Sequence, residues 1–411
     1  MPTSQPHSRV PSPGRPRPAF SLRAEVRQDA ASTVAAAVAS LPGALLTETD
    51  SSPDSGLCRL TIDTDGPATQ RRLHTLLHDR FDVDLVHLAD PALEAAATGK
   101  IAQRLCVPAG TDRERALLDT EADHRVIEQL LLAPDSTDDY TGRRRRIALI
   151  SDASDTAHLG PLPAAAVLPA LESAAVHLRH ATGLDIHPLP IAADTPKQLA
   201  ATAAALAPGF AAVCLSHTHP AHAGAVRAAL EPTGTPLVDT NGHAHAVATA
   251  AATVNALRHK GIPTHNACVV LAGANRGGDL SGLLLAAGIR SLTLHNTGTS
   301  LDDLVGPADL IVDLIGLPAP HDGTPVLHAD PHSAPPLHAT TGRPHPLHAL
   351  PALLTAAART RQLTHHNLQA TVRALTQRAR PGNLLPPVDE PGLTQALTAV
   401  LIPDPARPAD A

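Results

Sequence analysis

Aromatic side chains are almost missing from this chain of 411 residues: it has no Trp, one Tyr (Tyr140) and three Phe (Phe20, Phe81, Phe210). Proteins that read single-stranded nucleic acid stack its bases on such rings, so that class of function is excluded. Lysine is nearly as scarce. Only Lys100, Lys197 and Lys260 occur, so positive charge is carried by arginine and few amines are available for proton transfer. The four cysteines, Cys58, Cys106, Cys214 and Cys268, form no CxxC pair. That argues against a disulfide framework or a thiolate zinc site and for a reducing compartment. No run of about 20 apolar residues offers a spanning helix. Residues 1–19 and 403–411 read as disordered tails, and the first of these lacks the apolar run of a signal peptide, so a cytoplasmic location is expected. The formal charge of −7 gives no general attraction to nucleic acid or to an anionic membrane. What is present is an ordinary globular composition, 43% hydrophobic and 17% charged, with a core that must be built from Leu, Ala, Val and Ile.

From Phe20 onward the chain alternates in short regular blocks. Strands are expected at Leu22–Arg27, Ala44–Thr47, Leu57–Ile62 and Val83–Leu88, with helices at Ala30–Ala39 and Thr69–His78 between them. The order βαββαβ predicts a ferredoxin-like sheet with two helices on one face. A helical connector follows. From Arg146 a long βα alternation begins, with apolar strands at Arg146–Ser151, Asp185–Leu189, Ala212–Leu215, Pro236–Asp239, Val269–Ala272, Ser291–His295 and Asp309–Leu314. Continuous apolar strands separated by Ala-rich helices such as Leu162–Ala181, Pro196–Leu206 and His243–Leu257 imply α/β architecture with parallel sheets covered on both faces. Residues 317–346 read as loops, three helices close the fold at Leu350–Arg359, His366–Gln377 and Leu393–Leu401, and Arg143–Arg146 read as a solvated loop. Cys214 and Cys268, both in expected strands, are expected in the core.

Two resemblances sharpen this reading. The first unit, residues 20–92, resembles an ACT domain in element order, although Asp29-Ala30-Ala31 stands where a Pro-Gly turn is usual. More specifically, ALISDASDTAHLGPL, GLDIHPLP, LAPGFAAVCLSHT, GTPLVDTNGHAHAVATAAATVNALRHKGI and ACVVLAGANRGG resemble bacterial malic enzymes. The likeness continues in PADLIVDLIG, TGRPHPLHALPALL and NLLPPVDEPGL and covers about the last 300 residues. It implies a malic-enzyme-like α/β domain over residues 93–258 and a Rossmann-like, doubly wound domain with closing helices over 259–402. The implied reaction is oxidative decarboxylation of malate to pyruvate and carbon dioxide, with NAD or NADP and Mg or Mn. The resemblance also implies a homo-oligomer or pairing with another subunit, with a small-molecule ligand in the interdomain cleft.

Carried over residue by residue, the family's chemistry is missing. The position of its catalytic Tyr falls on Asp119 and that of its Lys on Ala174, and Ala can neither take nor give a proton. The three metal carboxylates fall on Ser216, His217 and Asn241, which carry no formal negative charge and so disfavour Mg or Mn. Histidines crowd the same point, and His217, His243 and His245 are the candidate ligands of a Zn-type site instead. The glycine turn falls on Ala272, Ala274 and Gly277 or, shifted by one residue, on Gly273, Asn275 and Gly278, beside Arg276. Asn296 stands where an acid would hold the ribose. The substrate asparagines fall on Asp330 and close to Pro346, and Asp330 would repel a dicarboxylate. The expectation is a malic-enzyme-like protein that has lost this catalysis and acts by binding or regulation. The alternative is an active malic enzyme, or a related oxidoreductase that uses the His-based metal site.

Overall fold

The computed structural model describes residues 17–52, 55–97, 99–156, 159–296, 308–317, 320, 323–331 and 343–402. The chain divides into two compact units, Met1–Ala102 and Gln103–Ala411.

In the first unit the elements are β1 (Arg17–Arg27), α1 (Ala31–Ala39), β2 (Ala44–Ser52), β3 (Leu57–Thr64), α2 (Pro67–Phe81), β4 (Leu85–Ala89) and α3 (Pro91–Ala96). The strands form an antiparallel sheet in the order β2-β3-β1-β4, the ferredoxin-like topology. Alternation decides which face is covered: Leu22, Ala24 and Val26 of β1 and Cys58, Leu60 and Ile62 of β3 are buried against Val34, Val38, Leu73 and Leu77 of the helices. The other face carries polar side chains, among them Arg59, 2.6 Å from Glu25. Two expectations need correction. β1 begins at Arg17, so the N-terminal tail is shorter than the composition suggested, and β2 runs five residues beyond Thr47 because pairing with β3 continues through Ser52↔Leu57. The remainder of both tails lies outside the described residues.

The second unit opens with α4 (Asp112–Ala116), α5 (Thr120–Leu132) and α6 (Thr137–Tyr140), none of which buries a residue. Next come β5 (Arg146–Ser151), α7 (Leu168–Thr182), β6 (Asp185–Pro190), α8 (Pro196–Leu206), β7 (Ala212–Leu215), α9 (Pro220–Leu230), β8 (Leu237–Asp239) and α10 (Ala246–His259). Then follow β9 (Cys268–Ala272), α11 (Leu280–Ala286), β10 (Ser291–His295), β11 (Leu310–Asp313), β12 (Val326–His328), α12 (Leu350–Thr360), α13 (His365–Arg378) and α14 (Leu393–Leu401). The strands make two parallel sheets of the same topology, β6-β5-β7-β8 and β10-β9-β11-β12. One apolar core joins them, running from Leu149 and Val238 through Val247 of α10 and Leu353 of α12 to Leu271 and Val312.

Several local readings are revised. β12, only three residues long within a Pro-rich stretch, was missed. Arg143 is no solvated residue: it lies in a short turn at Gly142–Arg145 and forms a half-buried ion pair with Asp138 at 2.6 Å. Cys214 is buried as expected, whereas Cys268 is only partly covered. The helix expected from His243 begins later, because Thr240–His245 form a π-helical turn before α10. Such turns concentrate at functional sites.

Candidate functional site

Parallel sheets place ligands beyond the carboxyl ends of their strands, where the strand order reverses. In the first sheet the reversal lies between β5 and β7. Asp152 follows β5, Ser216 and His217 follow β7, and Thr240 and Asn241 follow β8. Facing them are α7 and the short turn Pro346–His348, and the space enclosed is a cavity of about 510 Å³. Its size is that of a site for a small organic molecule.

Four of the positions assigned by resemblance meet in this cavity: Ala174, Ser216, His217 and Asn241 line it together, and Pro346 joins them. The backbone at His217 is left-handed, with φ of 49°. A non-glycine residue pays about 1 kcal/mol or more to stay there, and such strain concentrates at functional sites. The His217 carbonyl is held in place by the Asp155 amide at 3.2 Å and the Ser151 hydroxyl at 3.4 Å. Asp152 does not face a ligand. Its side chain is 1% exposed and accepts from His222 Nδ1 at 2.6 Å and from the Ser154 hydroxyl at 2.7 Å, which stiffens the loop under the cavity.

The remaining assigned positions are elsewhere. Asp119 is the N-cap of α5, accepting from the amides of Glu121 and Ala122, a structural task for which short acidic side chains are suited. Asp330 is not among the residues lining the cavity, although its neighbour Pro331 is. Among the described residues the lining contains no Asp, Glu, Lys, Arg or Tyr.

The expected imidazole cluster does not form. Among the described residues no group of three or more His, Cys, Asp or Glu side chains could hold a metal ion. His217 lines the cavity, whereas His243 and His245 are engaged inside the π turn. His243 Nδ1 accepts from the Asp239 amide at 3.1 Å and its Nε2 lies 2.9 Å from the Arg227 guanidinium, while His245 Nδ1 is 3.5 Å from the Thr249 hydroxyl. Burial lowers the His243 pKa, partly offset by Asp239. As for the family's own metal, Ser216, His217 and Asn241 supply no carboxylate, so the donor set does not fit Mg or Mn.

The glycine turn after β9 is also committed to internal contacts. Gly273 is left-handed at φ 77°. The amides of Gly273, Asn275, Arg276, Gly277 and Asp279 donate to His295 O, Asn296 Oδ1, Gly273 O, Ala274 O and Gly242 O, respectively. A pyrophosphate at such a turn is held by free amides and a positive helix N-terminus. Here Asn296, at the position assigned to the ribose, caps Asn275 at 2.7 Å, and the N-cap residue of α11 is the acidic Asp279. The turn does not fit a dinucleotide pyrophosphate.

Two cavity residues were not singled out from sequence. His177 lies one turn beyond Ala174 on α7, and His345 precedes the turn of Pro346–His348. Burial pushes the His345 imidazole down to about 3, with the nearby rings of His348 and His177 adding to the effect. Burial likewise lowers His348 to about 4, against the opposing pull of the carbonyls of His345 and Pro386. The Leu347 amide donates to His345 Nδ1 at 3.1 Å, which leaves the proton of the neutral ring on Nε2.

Comparison with known proteins follows the same lines. No family model matches the chain. It is 28% identical over 198 residues to the NADP-dependent malic enzyme of Halomonas elongata, covering 48% of this chain and 47% of that protein. It is 22% identical over 248 residues to NAD-dependent malic enzyme 1 of Bacillus subtilis, covering 56% of each. The chain thus spans about half the length of the curated relatives it matches. In fold it superposes on the NAD-dependent malic enzyme of Thermotoga maritima with a TM-score of 0.65 at 17% identity, covering 77% of this chain and 99% of that one. On the malic enzyme of Entamoeba histolytica the TM-score is 0.66 at 17% identity, with coverage of 76% and 80%.

Proposed function

We propose that this chain, which belongs with the malic enzymes in sequence relationship and fold, uses the cleft of that fold to bind a small molecule and does not decarboxylate malate. The reading is carried by one observation: the positions matched to the family's Lys and metal carboxylates converge on a single cavity, occupied by Ala174, Ser216, His217 and Asn241. Oxidative decarboxylation of a hydroxy acid requires removal of the hydroxyl proton, polarisation of the developing carbonyl and a hydride acceptor. Proton removal needs a titratable group within hydrogen-bond reach; the methyl of Ala174, at the position matched to the family's Lys, cannot serve, and only the imidazoles of His177, His217 and His345 stand among the described lining residues. Polarisation by a hard cation needs anionic oxygens to hold it, and these three side chains are neutral donors or an imidazole. The hydride acceptor named for the relatives is NAD or NADP, and in this chain the turn that would carry its pyrophosphate has the amides of Gly273, Asn275, Arg276, Gly277 and Asp279 donating to protein acceptors. Malate itself would enter as a dianion into a lining that has no Arg or Lys among the described residues.

The protein would then act through occupancy of the cleft, as a binding or regulatory component. Isothermal titration of malate, NAD and NADP, with Mg or Mn present, is expected to give no saturable heat. A dissociation constant below about 1 mM for malate together with either nucleotide, in the range that gives a binding free energy of about −4 kcal/mol or better, would overturn the reading.

A further inference from the structure

The lining of the cavity specifies more than the loss of one reaction, and the following step rests on the reading that the cleft binds rather than turns over. We infer that the cavity takes an uncharged small molecule with an aliphatic body and a single hydrogen-bond-accepting end, such as a primary amide, and discriminates against the matching carboxylate.

Three observations carry this. The wall on the α7 side is mostly hydrocarbon, with Leu162, Ala166, Ala170, Ala174 and Leu178 interrupted by Ser173 and His177, and Leu350 closes it from α12. Such a surface gains from burying methylene groups, at about 0.8 kcal/mol for each one fully buried. The polar groups among the described lining residues, Thr156, Ser173, Ser216, Thr240, Asn241 and the imidazoles, offer hydrogen bonds without fixed charge. Finally, His345 is neutral in the fold because it is buried, and with Nδ1 taken by the Leu347 amide its ring has Nε2–H to offer as a donor. A carbonyl oxygen satisfies such a donor. A carboxylate entering the same space would lose its hydration with no guanidinium or ammonium among the described lining residues, and burying an unpaired charge costs far more than burying a paired carbonyl. The positions matched by resemblance to the charged groups of the malic enzyme family hold Ala174, Ser216, His217 and Asn241 here, none of which carries a fixed charge.

The test uses the full chain at pH 8, above the ordinary imidazole range. Calorimetric titration of linear primary amides from butanamide to decanamide is compared with carboxylates of equal length and with malate. The expected result is saturable binding of at least one amide, at least tenfold tighter than its carboxylate partner. Ala174→Phe, which fills the cavity, is expected to abolish that binding. Because a filled cavity can also perturb folding, the wild-type protein is examined in parallel by its histidine ring-nitrogen resonances, where the amide is expected to shift the His345 signal, identified by its loss in His345→Gln. Absence of binding by every amide, binding of amide and carboxylate within twofold, or an unmoved His345 signal on saturation would overturn the inference while leaving the binding reading in place. Malate-dependent reduction of NAD or NADP would instead overturn the reading on which it rests.

Discussion

Lowering the pH from 7 to 5 is expected to cost the second unit about 4 kcal/mol of stability, because His345 and His348 are held neutral by burial. In the unfolded chain both rings titrate near the ordinary value of about 6.5, whereas in the fold they do so at about 3 and about 4. Between those limits the unfolded state binds more protons than the fold, so stability is fully present above about pH 6.5, falls as the pH drops, and levels off only near the folded values. At pH 5 each ring contributes about 2 kcal/mol, being 1.5 units below the unfolded value at 1.36 kcal/mol per unit. Neither ring is substantially protonated in the fold over this window, so their mutual repulsion does not enter and the two contributions add. His243, lowered in the same direction, acts with them. Urea denaturation followed by far-UV circular dichroism reports on the second unit, which holds most of the helix in the described residues. His348→Gln should remove about half of the pH dependence. A stability that stays constant from pH 7 to pH 5 would contradict the assignment of neutral buried rings.

Gly278→Ala is expected to destabilise the same unit by about 3 kcal/mol or more. The residue has φ of 53°, where an L side chain is strained. More decisively, a Cβ there would come well inside contact distance of Gly242 Cα and within 2.7 Å of its carbonyl oxygen, and backbone cannot move aside as a flexible side chain can. Gly242 is less restricted: its own Cβ would fall 2.6 Å from Asp239 Oδ2, a side-chain atom, and its backbone is not left-handed. At this crossing the glycine turn of the second sheet leans on the π turn of the first, and the Asp279 amide donates to Gly242 O at 3.0 Å. Gly234→Ala is the control. It has a similar φ of 64° but nothing within 4 Å of the added carbon, so it should lose only about 1 kcal/mol. Equal losses for the two variants in chemical denaturation would show that backbone strain alone, and not the close approach, governs Gly278.

The β/α alternation was readable because each parallel strand is a short apolar run and each helix carries Ala and Leu at helical spacing, so local pattern and burial agree in β5, β7, β9 and β11. Pattern was silent where pairing decides the outcome. β12 has three residues and acquires its identity only from the register Ile311↔Val326. The extension of β2 likewise depends on its partner β3.

At the site, Ala174, Ser216, His217 and Asn241 come to one place because Ser216, His217 and Asn241 follow the neighbouring strands β7 and β8, and Ala174 lies on the α7 face packed over those strand ends. It could not locate His345, which reaches the cavity from more than 150 residues beyond Ala174 and carries no local signal. The imidazole cluster failed for a related reason. Closeness of His217, His243 and His245 in sequence does not fix the direction of their side chains, and the π turn commits two of them to protein partners. In the same way, the glycine pattern at residues 273–278 serves close packing: Gly273 and Gly277 lie against Ile315 and Leu314 beyond β11, and Gly278 lies against Gly242 of the first sheet's π turn.

The central claim is that this malic enzyme fold has lost malic enzyme chemistry, and the most direct measurement is production of reduced nucleotide by the purified protein from malate with NAD or NADP and with Mg, Mn or Zn. The account predicts a rate indistinguishable from that without protein in every combination. Malate-dependent production that scales with protein concentration would contradict it, and would mean that groups outside Ala174, Ser216, His217 and Asn241 supply the proton transfer and the metal.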